Sequence, residues 1–74
     1  MKLKNFIKYL DPFQDIQIIN AKTGEALTSV NYLDDSQFYE DQVHCYEDDR
    51  VYGIAAGTSN EGSSFLIITI TNQI

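Results

Sequence analysis

Apolar side chains at Leu3, Phe6, Ile7 and Leu10 recur at i, i+3, i+4 and i+7, the spacing that gathers four of them on one helical face. Lys2, Lys4, Asn5 and Lys8 fall elsewhere, and Pro12 disfavours helical geometry at Asp11, so the pattern predicts a helix ending at about Leu10. A helix of that length is not stable alone in water and needs a sheet to dock on. The period then changes. Residues 15–20 (DIQIIN) alternate, with Ile16 and Ile18 on one face and Gln17 and Ile19 on the other, as in a half-buried strand. AKTGE follows as a turn in which Gly24 supplies a positive φ. Residues 25–32 return as a second strand, and Leu27, out of phase with Val30 and Tyr32, marks a bulge or an edge.

Residues 34–42 predict a short helical turn with Asp34 or Ser36 as N-cap and Phe38 as its inward anchor. Residues 43–46 and 51–56 are short alternating runs joined by EDDR, a connection of hairpin length. The stretch GTSNEGSS (57–64) is rich in turn formers and reads as a mobile loop. FLIITIT (65–71) gives the clearest strand, with Leu66, Ile68 and Ile70 toward the core and Phe65, Ile67, Thr69 and Thr71 on a second face. Together these predict one α+β domain spanning residues 1–74. A short N-terminal helix packs on a small, mainly antiparallel sheet of four to five strands, with a short helical turn near residues 35–42.

A helix on one side of such a sheet leaves Ile19, Phe65 and Ile67 on the other, and exposed apolar patches on small domains often mark interfaces. Seventy-four residues bury a small core, and domains of this size commonly need a staple. Cys45 is the only cysteine, which excludes an intrachain disulfide and leaves oligomerisation, with a homodimer through Ile19, Phe65 and Ile67 as its expected form. The alternative covering is the central acidic segment itself. A lone cysteine, no signal-peptide pattern and no apolar run of spanning length fit a cytoplasmic protein with no membrane partner.

Charge sharpens the picture. The formal net charge is −6, with +1 over residues 1–33 and −7 over residues 34–74. Such a chain is repelled by phosphate backbones and anionic lipid, which argues against direct nucleic-acid binding and favours a protein with a basic surface. The acids concentrate in YLDDSQFYEDQVHCYEDDRVY (32–52), which also holds four of the five tyrosines. Tyrosine is enriched at interfaces, and carboxylates beside it steer a basic partner. The candidate partner-binding residues are therefore Asp34, Asp35, Tyr39, Glu40, Asp41, Tyr46, Glu47, Asp48, Asp49 and Tyr52. They are expected in two clusters, one around Tyr39 and one flanked by Tyr46 and Tyr52. A solvated face that only keeps the chain soluble is the competing reading.

No catalytic or cofactor signature accompanies them. His44 and Cys45 are adjacent, and on a strand they point to opposite faces, with Cys45 inward and His44 outward. No second His or Cys completes a zinc set, and the acids lack the alternating spacing and central glycine of an EF-hand. GTSNEG has no P-loop lysine and precedes a strand. The expectation is a non-enzymatic protein with no metal and no cofactor.

The order of a short amphipathic helix, then LDPFQDIQI, TGEAL and a final alternating strand resembles small uncharacterised accessory proteins of phages and prophages of low-GC Gram-positive bacteria, mainly over residues 2–30. That resemblance implies a setting inside an infected cell. With the acidic segment, it yields the expected function: a phage-encoded inhibitor that fills a basic groove of a host defence protein, as an anti-CRISPR of the nucleic-acid-mimic type does. Reversing Asp48 and Asp49 to lysine is then expected to weaken inhibition more than a change at Glu61. The alternative is a homo-oligomeric sponge or scaffold holding a nucleotide-type ligand at subunit interfaces through Lys22, Arg50 and backbone donors.

Overall fold

The computed structural model describes residues 1–71. In order the elements are α1 (Leu3–Ile7), β1 (Asp15–Asn20), β2 (Asn31–Tyr32), α2 (Ser36–Phe38), a π turn (Tyr39–Val43), a 3-10 turn (His44–Tyr46), β3 (Arg50–Thr58) and β4 (Ser64–Thr71). The strands form one sheet in the order β2-β1-β4-β3. Two of its pairings are antiparallel, and the central one, β1 with β4, is parallel. The fold is the small α+β arrangement that the periodicities predict.

The register explains the core. Ile16 lies opposite Leu66, Ile18 opposite Ile68 and Asn20 opposite Ile70, so the inward residues of both central strands share one face. Ile16, Ile18, Ile68 and Ile70 are fully buried there with Leu3 and Val43, and Phe38 joins them at 4% exposure. Phe6, Ile7, Leu10 and Leu27 pack around this cluster. The α-helix proper ends at Ile7, earlier than Leu10, and the chain continues in tighter i to i+3 bonds from Tyr9 to Phe6 and Leu10 to Ile7. That keeps Leu10 on the apolar side without a third helical turn.

Beyond the turn at Gly24, whose φ is 76°, the returning segment is hardly a strand. It runs beside β1 through one bridge, Ile19 to Ala26, and becomes β2 only at Asn31. Thr28 is the reason. Its buried hydroxyl accepts from the Ile18 N–H at 3.1 Å and donates to the Ser29 carbonyl at 2.8 Å, so a side chain takes the place of a ladder carbonyl. The out-of-phase Leu27 therefore marks an edge segment.

Residues 43–46 are not a strand, and EDDR does not tip a hairpin. The N–H of His44 donates to the Tyr39 carbonyl, an i to i+5 bond that widens the helix by one residue. This wider turn brings Phe38 and Val43, five apart, onto the same inward face, which the three-or-four spacing of an α-helix does not do. The bulge lies in β3, where Val51 opposes Ile70 and Gly53 opposes Thr69, leaving Tyr52 as the extra residue. The loop after β3 is short. It is closed by Ser59 N–H to the Ser63 carbonyl, Gly62 N–H to the Ser59 carbonyl and Ser63 N–H to Ser59 Oγ, with Gly62 at φ 85°. Turn composition gave the right place for the loop, and these hydrogen bonds close it as a hairpin between β3 and β4.

Among the described residues no helix is long and apolar enough to cross a membrane. Every helical element packs on the Ile16/Ile18/Ile68/Ile70 face. On the opposite face Ile19, Phe65 and Ile67 are half-buried, and the acidic segment does not fold over them. The Phe65 ring lies across Gly57, within 2.7 Å of where a Cβ would stand, so its own neighbours on β3 and β4 shield it in part.

Candidate functional site

The helical unit from α2 to the 3-10 turn carries most of the acids, and its start is set by Asp35. That carboxylate accepts from the Phe38 N–H at 3.1 Å and from Asn31 Nδ2 at 3.1 Å, so it caps the helix and ties it to β2. Neither Asp34 nor Ser36 is the cap. Asp35 is thus a positioning residue, half-buried, while its neighbour Asp34 stands exposed. Gln37 Nε2 donates to Asp41 one turn on, at 3.3 Å, and Gln42 Oε1 accepts from the Ser29 N–H at 2.8 Å. Between β2 and this helix lies an open depression of about 270 Å³, lined by Asn31, Asp35, Gln37, Phe38, Asp41 and Gln42.

The second acidic cluster is arranged differently. Glu47 is turned inward and accepts from the Tyr39 hydroxyl, while His44 Nδ1 lies 2.7 Å from its other oxygen. Burial pushes the Tyr39 phenol up to about 12, helped by that hydrogen bond and by the charges on Glu47 and Glu40, because a phenolate there would face carboxylates. Tyr46 is likewise raised, first by burial and then by Cys45 and Asp49. Asp48 is exposed but faces Lys4 Nζ at 3.2 Å and Lys2 Nζ at 3.7 Å, and the Lys4 hydrogen bond and charge, with Lys2 behind it, hold its carboxyl below the usual range. The lysines reach it because the N-terminus lies across the start of β3. Leu3 N–H donates to the Asp49 carbonyl, Lys4 N–H to the Glu47 carbonyl and Val51 N–H to the Met1 carbonyl.

These contacts redistribute the sequence candidates. Asp34, Glu40 and Asp41 are exposed, as is Tyr52 at 75%. Tyr39 and Tyr46 pack against the core, so they support the surface more than they present it. Tyr39 also bonds across to Glu47, joining the two expected clusters. Cys45 is exposed, contrary to its expected core position, because a 3-10 turn sets His44 and Cys45 on neighbouring outward positions instead of opposite faces of a strand. His44 is exposed as expected and is engaged by Glu47. Among the described residues no group of three His, Cys, Asp or Glu side chains is placed to hold a metal ion.

One component was missed from sequence. Phe13, 66% exposed, sits against Tyr32 with ring centroids 5.9 Å apart, and the Asp34 N–H donates to the Pro12 carbonyl beside them. The Asp15 to Tyr32 register of β1 and β2 creates this juxtaposition of residues nineteen apart. Its only local signal is Asp11-Pro12-Phe13, where Asp11 Oδ1 accepts from the Phe13 N–H at 2.9 Å and fixes the turn that presents the ring. The exposed acids of this segment are thus Asp34, Glu40 and Asp41, and the Phe13 and Tyr32 rings lie beside Asp34. No protein-family model, no curated protein and no solved structure matches the chain.

Proposed function

We propose that this chain is a non-enzymatic inhibitor, phage-encoded, that binds a basic groove of a host defence protein through the face formed by Asp34, Glu40, Asp41, Phe13 and Tyr32. The observation that carries the reading is the separation of the acids into two kinds. Glu47 and Asp48 are engaged by Tyr39, His44, Lys2 and Lys4, whereas Asp34 and Glu40 make no hydrogen bond or ion pair through their side chains among the described residues. Unpaired carboxylates lose nothing within the protein when a cationic groove meets them, and the aromatic pair adds contact area at small entropy cost. A nucleic-acid-binding groove offers the matching cations, so the face acts as a mimic of the anti-CRISPR kind.

The test is displacement. Added to an RNA-guided nuclease bound to its DNA, the protein releases the DNA in a gel shift, less so as salt rises. Combining Asp34→Lys with Asp41→Lys weakens the release at least about tenfold, more than Asp48→Lys with Asp49→Lys, and that pair more than Glu61→Lys. A charge-reversed Asp34/Asp41 protein that inhibits as well as the original rules the mimic reading out.

A further inference from the structure

The strand at the far side of the sheet from this face carries a separate feature. β3 ends the strand order, and the N-terminus covers only its beginning, through the Lys2 to Arg50 bridge and the Val51 N–H to Met1 carbonyl bond. Along residues 52–58 no described strand lies outboard. Soluble proteins usually blunt such an edge with a lysine, a proline, a very short strand or a cover. Here the free stretch reads YGIAAGT, seven residues with neither charge nor proline, and Tyr52 and Ile54 stand 75% and 51% exposed on it. The bulge sits at Tyr52, next to the covered end, so residues 53–58 run in regular register with β4.

We propose that two copies of this chain join through this edge, β3 pairing antiparallel with β3 about a two-fold axis at Ala55. Seven free residues match themselves about that axis. Tyr52 of one copy faces Thr58 of the other, Gly53 faces Gly57, Ile54 faces Ala56, and Ala55 faces Ala55. The small side chains allow close backbone approach.

The edge is the part of the surface where a second copy meets least repulsion, and charge favours its antiparallel direction. At a net charge of −6 two copies repel over most of their surface, but residues 51–74 carry a single charge, Glu61, in the hairpin after β3. Antiparallel pairing places the Glu61 hairpin of each copy at the end where the other carries Arg50, beside Asp49 and the Asp48 that Lys2 and Lys4 already face, and keeps the two Glu61 residues at opposite ends. Arg50 makes no ion pair among the described residues, so it is available to that hairpin. Parallel pairing sets Glu61 against Glu61.

The proposal relocates self-association from the Ile19/Phe65/Ile67 face to the edge. Ala55 lies opposite Ile67 on that same face, so edge pairing also lengthens its apolar surface without covering it. The result is a continuous sheet in which the acidic faces, on the β2 side of each copy, point outward at both ends. Such a dimer is bivalent, and it stands or falls separately from the identity of any acidic-face partner.

Sedimentation of the full chain from about 1 μM to about 1 mM spans the affinities expected of an edge-only contact. The expected result is a rise from 8.4 kDa toward twice that mass. Ala55→Lys and Ala55→Glu each remain monomeric with unchanged circular dichroism, since like charges then meet at the axis, and mixing the two restores a heterodimer. Ile54→Lys, at a half-exposed position of the same edge, gives the same loss and guards against misfolding at Ala55. Monomer at every concentration overturns the proposal, as does a dimer that survives Ala55→Lys and Ile54→Lys but not Ile19→Asp, or a mixture that stays monomeric.

Discussion

Around Glu47 and Asp48 the carboxylates work for the fold, accepting from Tyr39, facing His44 and meeting the two N-terminal lysines. Earlier in the chain, Glu40 projects from a helical unit and Asp34 stands just before its cap, and the place of that unit is fixed by other groups, Asp35 and the buried Phe38 and Val43. The difference teaches that an acidic run is two things at once. One half is held to the body of the protein by charge. The other is carried by apolar burial and a cap, which leaves Asp34 and Glu40 exposed.

Removing the apolar support breaks the contrast most thoroughly. Phe38→Ala takes away the side chain that seats the whole helical unit and costs about 3–5 kcal/mol in urea unfolding, enough to unfold much of a domain this small. Loss of less than a third of that shows that the helix is seated by something else. Next comes the pair of adjacent aspartates. Asp35→Ala removes both the Phe38 N–H cap and the Asn31 bond and lowers stability by about 2 kcal/mol, whereas Asp34→Ala changes it by less than about 0.5 kcal/mol. Equal losses at the two positions erase the distinction between positioning and presented acids.

The third prediction follows from Tyr39. Its folded pKa of about 12 lies above the 10.0 of an unperturbed phenol, so the folded state holds the proton more tightly. The stabilisation is complete below pH 10 and drains away as pH rises toward 12. Alkaline titration of stability therefore shows a steeper fall over that window for the natural chain than for Tyr39→Phe, which is itself less stable at neutral pH by about 1 kcal/mol. Parallel curves mean that neither burial nor Glu47 raises the Tyr39 phenol in the folded state. The smallest effect is at Asp48. Its ion pairs with Lys2 and Lys4 are exposed and screened, so Asp48→Ala leaves the unfolding midpoint unchanged within error, although the stabilising sign of the depressed carboxyl is present above the ordinary aspartate range and lost below it.

Strict alternation made β1 and β4 legible, and Gly24 announced its turn, because both signals are local. Residues 43–46 misled because VHCY is too short to separate a period of two from a helical one, and the spacing of five between Phe38 and Val43 fits neither simple pattern. The exposure of Cys45 follows from that same turn. In the candidate face, the acids were visible as composition. Which of them are neutralised was not, since Lys2 and Lys4 stand more than forty residues from Asp48 and reach it only through the bridge to Arg50. The Phe13 and Tyr32 pair was hidden for the same reason, being a product of strand register.

The parallel pairing of β1 with β4 also dictates an order of events during synthesis. Strand β4 completes the centre of the sheet, joining β1 on one side and β3 on the other, yet it emerges after every acidic residue of the chain. When the ribosome has finished the acidic helix, Val43 and Phe38 still lack Ile68 and Ile70 to pack against. Non-local parallel contacts of this kind form late and slowly. The acidic segment therefore lacks half of the apolar core it packs on until residues 64–71 arrive.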